Sequence, residues 1–206
     1  MSAVQQSVVS KSASSQSSCP AGRGGAQTLP AHTPDQPSSF TQRKLAMLLV
    51  DLAGYAKTVR SRGDLETAAF LDIYYRLCHG VIARHGGRIV KFMGDACMAA
   101  FEPEHCAQAV GCAQALRREI DALCKKDGGA MSCGGINLHM TLVVEGRFGA
   151  DHVSRPDIIG AGVNHLFLMG GGQGTRISEP VYRALPSNAR SPWNKNKPPA
   201  LYTLKE

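Results

Sequence analysis

Apolar positions change period several times along the chain, and each change marks an element. Leu45–Val50 (LAMLLV) is a short unbroken apolar run, the pattern of a strand buried on both faces. It ends at Asp51, with Gly54 just beyond. Asp64 is placed to cap a helix running to about His85, in which Ala69, Ile73, Leu77 and Val81 recur every four residues and form the buried stripe. Gly86-Gly87 stops it. Arg88–Met93 and Ala96–Phe101 then read as two strands around Gly94-Asp95, a two-residue hairpin turn with glycine first. A second helix covers about Pro103–Lys125, with Ala109, Ala113, Leu116, Ile120 and Leu123 inward. After Asp127-Gly128-Gly129 the run Ile136–Glu145 predicts a strand, followed by a polar loop through Asp151. A short helix from Ala161 dies in Gly170-Gly171-Gly172. Thr175–Ser178, a short helix to Leu185 and a strand near Ala200–Leu204 close the chain.

Strand, helix, hairpin, helix, strand is an α+β order. It predicts a ferredoxin-like βαββαβ core, helices on one face of an antiparallel sheet, with an extra C-terminal helix and strands. Residues 1–40 have a different texture. Ten of the forty are serine, five are glutamine, four are proline, and the only acid is Asp35. With so few apolar residues to offset the entropy of ordering, this reads as a disordered tail, Cys19 included. It has neither the basic start nor the apolar core of a signal peptide, nor the arginines of a transit peptide. The folded part is then residues 41–206, one domain with no room for a fused sensor. No apolar run approaches the ~18–20 residues of a membrane-spanning helix. Seven scattered cysteines without a Cys-x-x-Cys pair suit reduced thiols and a cytoplasmic location. The net charge of +7 suits an anionic ligand, nucleic acid or a membrane surface without choosing among them.

Three residues invite a chemical account. Asp51 ends an apolar strand and Asp95 tips the hairpin. If the first strand lies beside the hairpin, both carboxylates emerge at one edge, where a hard cation such as Mg²⁺ or Mn²⁺ would relieve their repulsion. On spacing alone, a helix cap and an ordinary turn residue explain them at least as well. Strand alternation puts Lys91 on the face of Ile89 and Met93, opposite Val90 and Phe92, where it is either solvated or binds something.

The neighbours of these residues add a resemblance. His85–Phe101 (HGGRIVKFMGDACMAAF) resembles the signature hairpin of class III nucleotidyl cyclases, the adenylyl and guanylyl cyclase homology domain. Leu49–Tyr55 (LVDLAGY) is similar to that family's first metal-binding strand, Asp157–Asn164 (DIIGAGVN) to its segment for base and ribose, and Pro198–Tyr202 (PPALY) to its last strand. The four segments stand in family order over nearly all of the folded part.

The resemblance implies two divalent cations between Asp51 and Asp95, aided by the backbone carbonyl of Leu52. It implies ATP as substrate, with Lys91 donating to N1 of adenine and Asp157 accepting from the exocyclic amine. Guanine reverses that edge, so guanylyl cyclases typically carry Glu at the position of Lys91. Asn164 would orient the ribose. Metal ligands and base readers come from opposite subunits in the family, which implies a head-to-tail homodimer. Three departures stand out. The family's phosphate-steadying arginine is replaced by Leu168, with Arg176 a conceivable substitute. The family's Lys-Gly-Lys-Gly run reads Trp193–Pro198 (WNKNKP) here, leaving Lys195 as the phosphate lysine without its glycines. Thr141 stands where the family usually has glycine.

Other patterns are weaker. His79, His85, His105, His139, His152 and His165 share no ligand spacing, and Cys106 with Cys112 makes no metal pattern. The Gly170–Gly172 run lacks the Lys-Ser/Thr of a P-loop. An RNA-recognition domain is also ferredoxin-like, but Arg88–Met93 has a single aromatic, so no nucleic acid partner is expected. The expected function is therefore an ATP-using cyclase. The alternatives are a degenerate regulatory domain that binds nucleotide, and a cyclase for GTP or another triphosphate.

Overall fold

The computed structural model describes residues 40–150, 152–196 and 201–204. The expectations for the tail before Phe40, including Cys19, and for Pro198–Ala200 lie outside the described residues. The chain runs β1 (Thr41–Ala53), α1 (Tyr55–Thr58), α2 (Asp64–Arg84), β2 (Arg88–Met93), β3 (Ala96–Phe101), α3 (Cys106–Lys126), β4 (Ser132–Phe148), β5 (Arg155–Ile159), α4 (Ala161–Leu168), β6 (Gly174–Ser178), α5 (Glu179–Ala184), β7 (Trp193–Asn196) and β8 (Leu201–Leu204). One sheet has the order β2-β3-β1-β4-β6-β8-β7, with β5 on the distal half of β4. The first four strands are the antiparallel core of a ferredoxin-like fold. The added β6 is parallel to β4.

β1 is central because Leu45–Val50 is apolar on both sides. Ala46, Leu48, Val50 and Leu52 face one core, with Phe70, Tyr74 and Cys78 of α2 and Ala113, Leu116 and Ile120 of α3. Leu45, Met47 and Leu49 face a second core, with Val143 of β4, Ile158 of β5 and Val163 and Leu166 of α4. The expectation of helices on one face therefore holds for α2, α3 and α5, whose buried residues join the first core, but not for α4. A second apolar face on β1 had to be covered, and α4 covers part of it.

Other expectations shift in detail. Gly63 rather than Asp64 stands before α2, and Asp64 is its first residue. The buried stripe of α2 is Phe70, Tyr74, Cys78 and Val81-Ile82; Ile73 is 53% exposed. The stripe is turned by one residue because bulky Phe70 and Tyr74, not Ala69 and Ile73, fill the space over the sheet. The sequence pattern predicts neither β5 nor β7 as a strand. Each is short, and β5 contains Pro156 while β7 is three-quarters polar. All six cysteines among the described residues are free and buried, as reduced thiols require. Among the described residues, no helix is long and apolar enough to cross a membrane.

Candidate functional site

Asp51 sits where the β1–β4 ladder slips. Val50 pairs with Ile136 and Leu52 with Cys133, so two glycines, Gly134 and Gly135, oppose one aspartate. Val50 and Leu52 point into the core under α2 and α3, which leaves Asp51 on the opposite face. Its Oδ1 accepts the Gly135 N–H at 2.6 Å. A side chain on Gly134 would overlap that carboxylate, so the glycine pair is what makes room for it.

The hairpin brings Asp95 alongside. Met93 pairs with Ala96 across the turn, Gly94 takes φ 63°, and β3 then runs antiparallel to β1 with Cys97 opposite Val50. Asp95 accepts the Leu52 N–H, while the Leu52 side chain is buried, so only backbone of Leu52 faces the site. Burial first and then the charge of Asp51 push the Asp95 carboxyl above its usual range, against the two backbone N–H groups that lower it. Tyr75 of α2 fixes the turn, donating to the Gly94 carbonyl at 2.6 Å and stacking on Phe92 at 3.9 Å between centroids. Among the described residues no three His, Cys, Asp or Glu side chains converge. Two carboxylates plus backbone oxygen suit a hard cation that keeps waters or takes phosphate oxygens for its other positions, as Mg²⁺ does.

Lys91, Asp157 and Asn164 form a second group. A bulge between Ile89 and Lys91 overrides simple alternation: Ile89 and Phe92 pack in the core under the helices, and Val90 and Met93 in the other. Lys91 stays on the side of Met93. Its ammonium meets Asp157 of β5 at 2.8 Å, with the two side chains 35% and 29% exposed. Asp157 Oδ1 also accepts the Ile158 N–H at 2.7 Å. Lys91, Ile158, Val163, Asn164 and Phe167 line a cleft of about 360 Å³. The pairing of Lys91 with Asp157, 66 residues apart, places a donor and an acceptor side by side, the lysine lining this cleft and the aspartate lining a neighbouring one with Val90 and Arg147.

Leu168 lies one helical turn after Asn164 on the open side of α4, 79% exposed. Lys195 stands apart from the other site residues. It lies on the outermost strand β7, opposite Tyr202, with its ammonium 6.0 Å from that ring; Tyr202 packs in the core under the helices, on the other face of the sheet. Thr141 is accommodated by Gly162 of α4, where any Cβ would overlap the threonine side chain. His139 and His165, unrelated by spacing, stack edge-on at 4.7 Å between β4 and α4. Gly134, Gly135 and Tyr75 are site-building residues that sequence reasoning missed. A Gly-Gly pair ahead of a strand was the one signal available for the first two.

The chain matches no protein-family model. An adenylate cyclase of Anabaena cylindrica is 28% identical over 131 residues, 59% of this chain and 26% of that protein. An uncharacterized protein of Mycobacterium tuberculosis is 30% identical over 125 residues, 60% of this chain and 22% of that protein. The matched stretch is thus about a quarter of the length of these curated relatives. Among solved structures, an adenylyl cyclase from P. aeruginosa superposes with TM-score 0.70 at 19% identity, over 81% of this chain and 96% of that one. A guanylyl cyclase gives 0.69 at 21% identity, over 80% and 92%. The guanylate cyclase domain from Catenaria anguillulae, in complex with GTP, gives 0.66 at 16% identity, over 80% and 97%. This chain has the fold of the class III adenylyl and guanylyl cyclase catalytic domains.

Proposed function

We propose that the chain is a nucleotidyl cyclase domain that converts ATP to 3′,5′-cyclic AMP and pyrophosphate in a head-to-tail homodimer. One observation carries the reading: on a cyclase fold, the Asp51–Asp95 carboxylates lie on the same face of the sheet as the cleft lined by Lys91 and Asn164, with Asp157 paired to that lysine. Asp51, Asp95 and the backbone of Leu52 would hold two divalent cations, Mg²⁺ or Mn²⁺. When bound, these supply the Lewis acidity that turns the ribose 3′-hydroxyl into a nucleophile and neutralises phosphate charge.

The chain's own residues do the positioning. Lys91 donates to N1 of adenine and Asp157 accepts from the exocyclic amine, replacing the ion pair they make with each other. A guanine in the same place would set donor against donor. At about 1–3 kcal/mol per unpaired group, that favours ATP roughly tenfold to a hundredfold. Asn164, exposed on α4 at the cleft, orients the ribose. The 3′-oxygen bonds to the α-phosphorus as the bond to the bridging β-oxygen breaks. The hydroxyl proton leaves to solvent and pyrophosphate departs. Lys195 receives no role within the chain that carries it, given the face it occupies.

Leu168 favours a second reading, a nucleotide-binding regulatory domain with little turnover, because an exposed leucine stands where the family's phosphate-steadying arginine is expected. One assay separates the two. Purified protein is incubated with Mn²⁺ or Mg²⁺ and each of the four nucleoside triphosphates, and products are identified by mass spectrometry with Asp51→Ala as blank. Cyclic AMP well above the blank is the expected result. No cyclic product from any triphosphate would sink the enzyme reading, and product from GTP alone would overturn the roles of Lys91 and Asp157.

A further inference from the structure

Leu168 leaves the phosphate end of the proposed site short of positive charge, and an arginine on another element lies beside Asp51. Arg176 lies on β6 beside β4, in register with Asn137. Both side chains are on the face that α4 covers. Asn137 Nδ2 donates to the Leu166 and Gly170 carbonyls at 3.1 and 3.2 Å, pinning the end of α4 and the start of the glycine turn. The Arg176 guanidinium is held by that turn: Nη2 donates to Gly171 O at 2.7 Å and Gln173 O at 3.1 Å, and Nη1 to Gly172 O at 3.4 Å.

Those three partners are neutral carbonyls. Among the described residues, no carboxylate lies within ion-pair distance of this guanidinium. Three bonds also leave two of its five N–H donors, one on Nη1 and the one on Nε, without a partner. Asp51 is the charge it approaches. A methyl group added to Gly135 would stand 2.9 Å from Gly172 O, 3.3 Å from Arg176 Nη1 and 3.7 Å from Asp51 Oδ1. The cation and the proposed metal carboxylate thus flank one small gap, kept open because residue 135 has no side chain. A guanidinium already fixed in direction loses little further entropy when it takes a phosphate oxygen.

We propose that Arg176 grips the β- and γ-phosphates of the nucleotide from the same subunit as Asp51 and Asp95, supplying the charge that Leu168 does not. This rests on the cyclase reading and concerns its phosphate subsite. It assigns the Gly170–Gln173 turn a purpose, as the frame that aims the arginine, where the sequence alone reads only the end of a short helix.

The test uses the full chain in Mn²⁺ and compares calorimetric affinities for α,β-methylene-ATP, which resists cleavage at the reacting bond, and for AMP. Wild type should bind the triphosphate analogue far more tightly than AMP. Arg176→Gln should weaken the analogue by roughly tenfold to a hundredfold, as loss of a charge-assisted hydrogen bond would, and leave AMP within about twofold. Arg176→Lys, which keeps charge without the three-carbonyl fork, should recover part of the loss and guards against a glutamine variant that fails to fold. A wild-type analogue-to-AMP ratio in both variants would overturn the role of Arg176 alone. An equal loss for both ligands would reduce the residue to a brace for the turn and also overturn it. A wild type that does not distinguish the analogue from AMP would bring down the cyclase reading as well.

Discussion

Asp51 and Asp95 are held together at a cost that the isolated chain does not recover. Asp95 has a raised carboxyl pKa because burial and the neighbouring negative charge disfavour ionisation. A folded pKa above the unfolded one means the fold is favoured at low pH and loses that advantage as pH rises through the folded value. Once ionised, Asp95 is therefore a liability to the fold. In chelator at pH 7, Asp95→Asn should melt about one to three degrees above wild type. Added Mn²⁺ should reverse the order, because the intact pair alone gains from the cation. A variant that melts lower in chelator would show that the pair is not strained. These two aspartates were legible in the sequence because each sits beside a strong local signal, a strand end and a glycine turn. Gly134, Gly135, Tyr75 and the aim of Arg176 were not. The two glycines and Tyr75 matter through partners more than 15 residues away, and the turn that aims Arg176, though local, shows its use only beside Gly135 and Asp51; no local pattern encodes either.

The same division runs through the elements. The β2–β3 hairpin matched its expected limits because Gly94-Asp95 fixes both turn and register. The face of α2 was off by a residue, since apolar residues outnumber the positions the core accepts and packing makes the choice. Helix α4 shows packing deciding a sequence departure. Thr141 of β4 is tolerated because Gly162 gives it room. Gly162→Ala should cost about 1–3 kcal/mol of stability through overpacking, and Thr141→Gly in the same chain should restore most of it. A single variant as stable as wild type would show that α4 can shift outward freely. The α4–β4 contact also carries a pH dependence. Burial, and then the charge of His165, bring His139 down to about 4, and its Nδ1 is buried without a partner. His139 is neutral in the fold but protonates near 6.5 when unfolded. Its contribution is thus present above pH 6.5 and lost as pH falls from there toward 4. His139→Phe should flatten the loss of melting temperature over that window; an unchanged slope would place the acid sensitivity elsewhere.

At the scale of the whole molecule, the face that carries every proposed site residue except Lys195 is covered only in part by α4. Phe167 and Leu168 at the helix end and Ile159 beside it remain exposed, at 46%, 79% and 46%. A second copy placed head-to-tail would set the Lys91–Asp157 cleft of one subunit over the Asp51–Asp95 pair of the other. Each of the two sites would then draw metal ligands from one chain and base readers from its partner. That arrangement has a consequence no single-chain site shares. Asp51→Ala and Lys91→Ala should each be inactive alone, the first without cations and the second without its grip on the base. Mixed in equal amounts and allowed to exchange, half of the dimers carry one of each. Such a dimer has one doubly damaged site and one intact site, so cyclic AMP formation should return to about one quarter of the wild-type rate. If each chain completed its own site, every site in the mixture would carry one of the two lesions. The activity would then stay at the level of the separate variants.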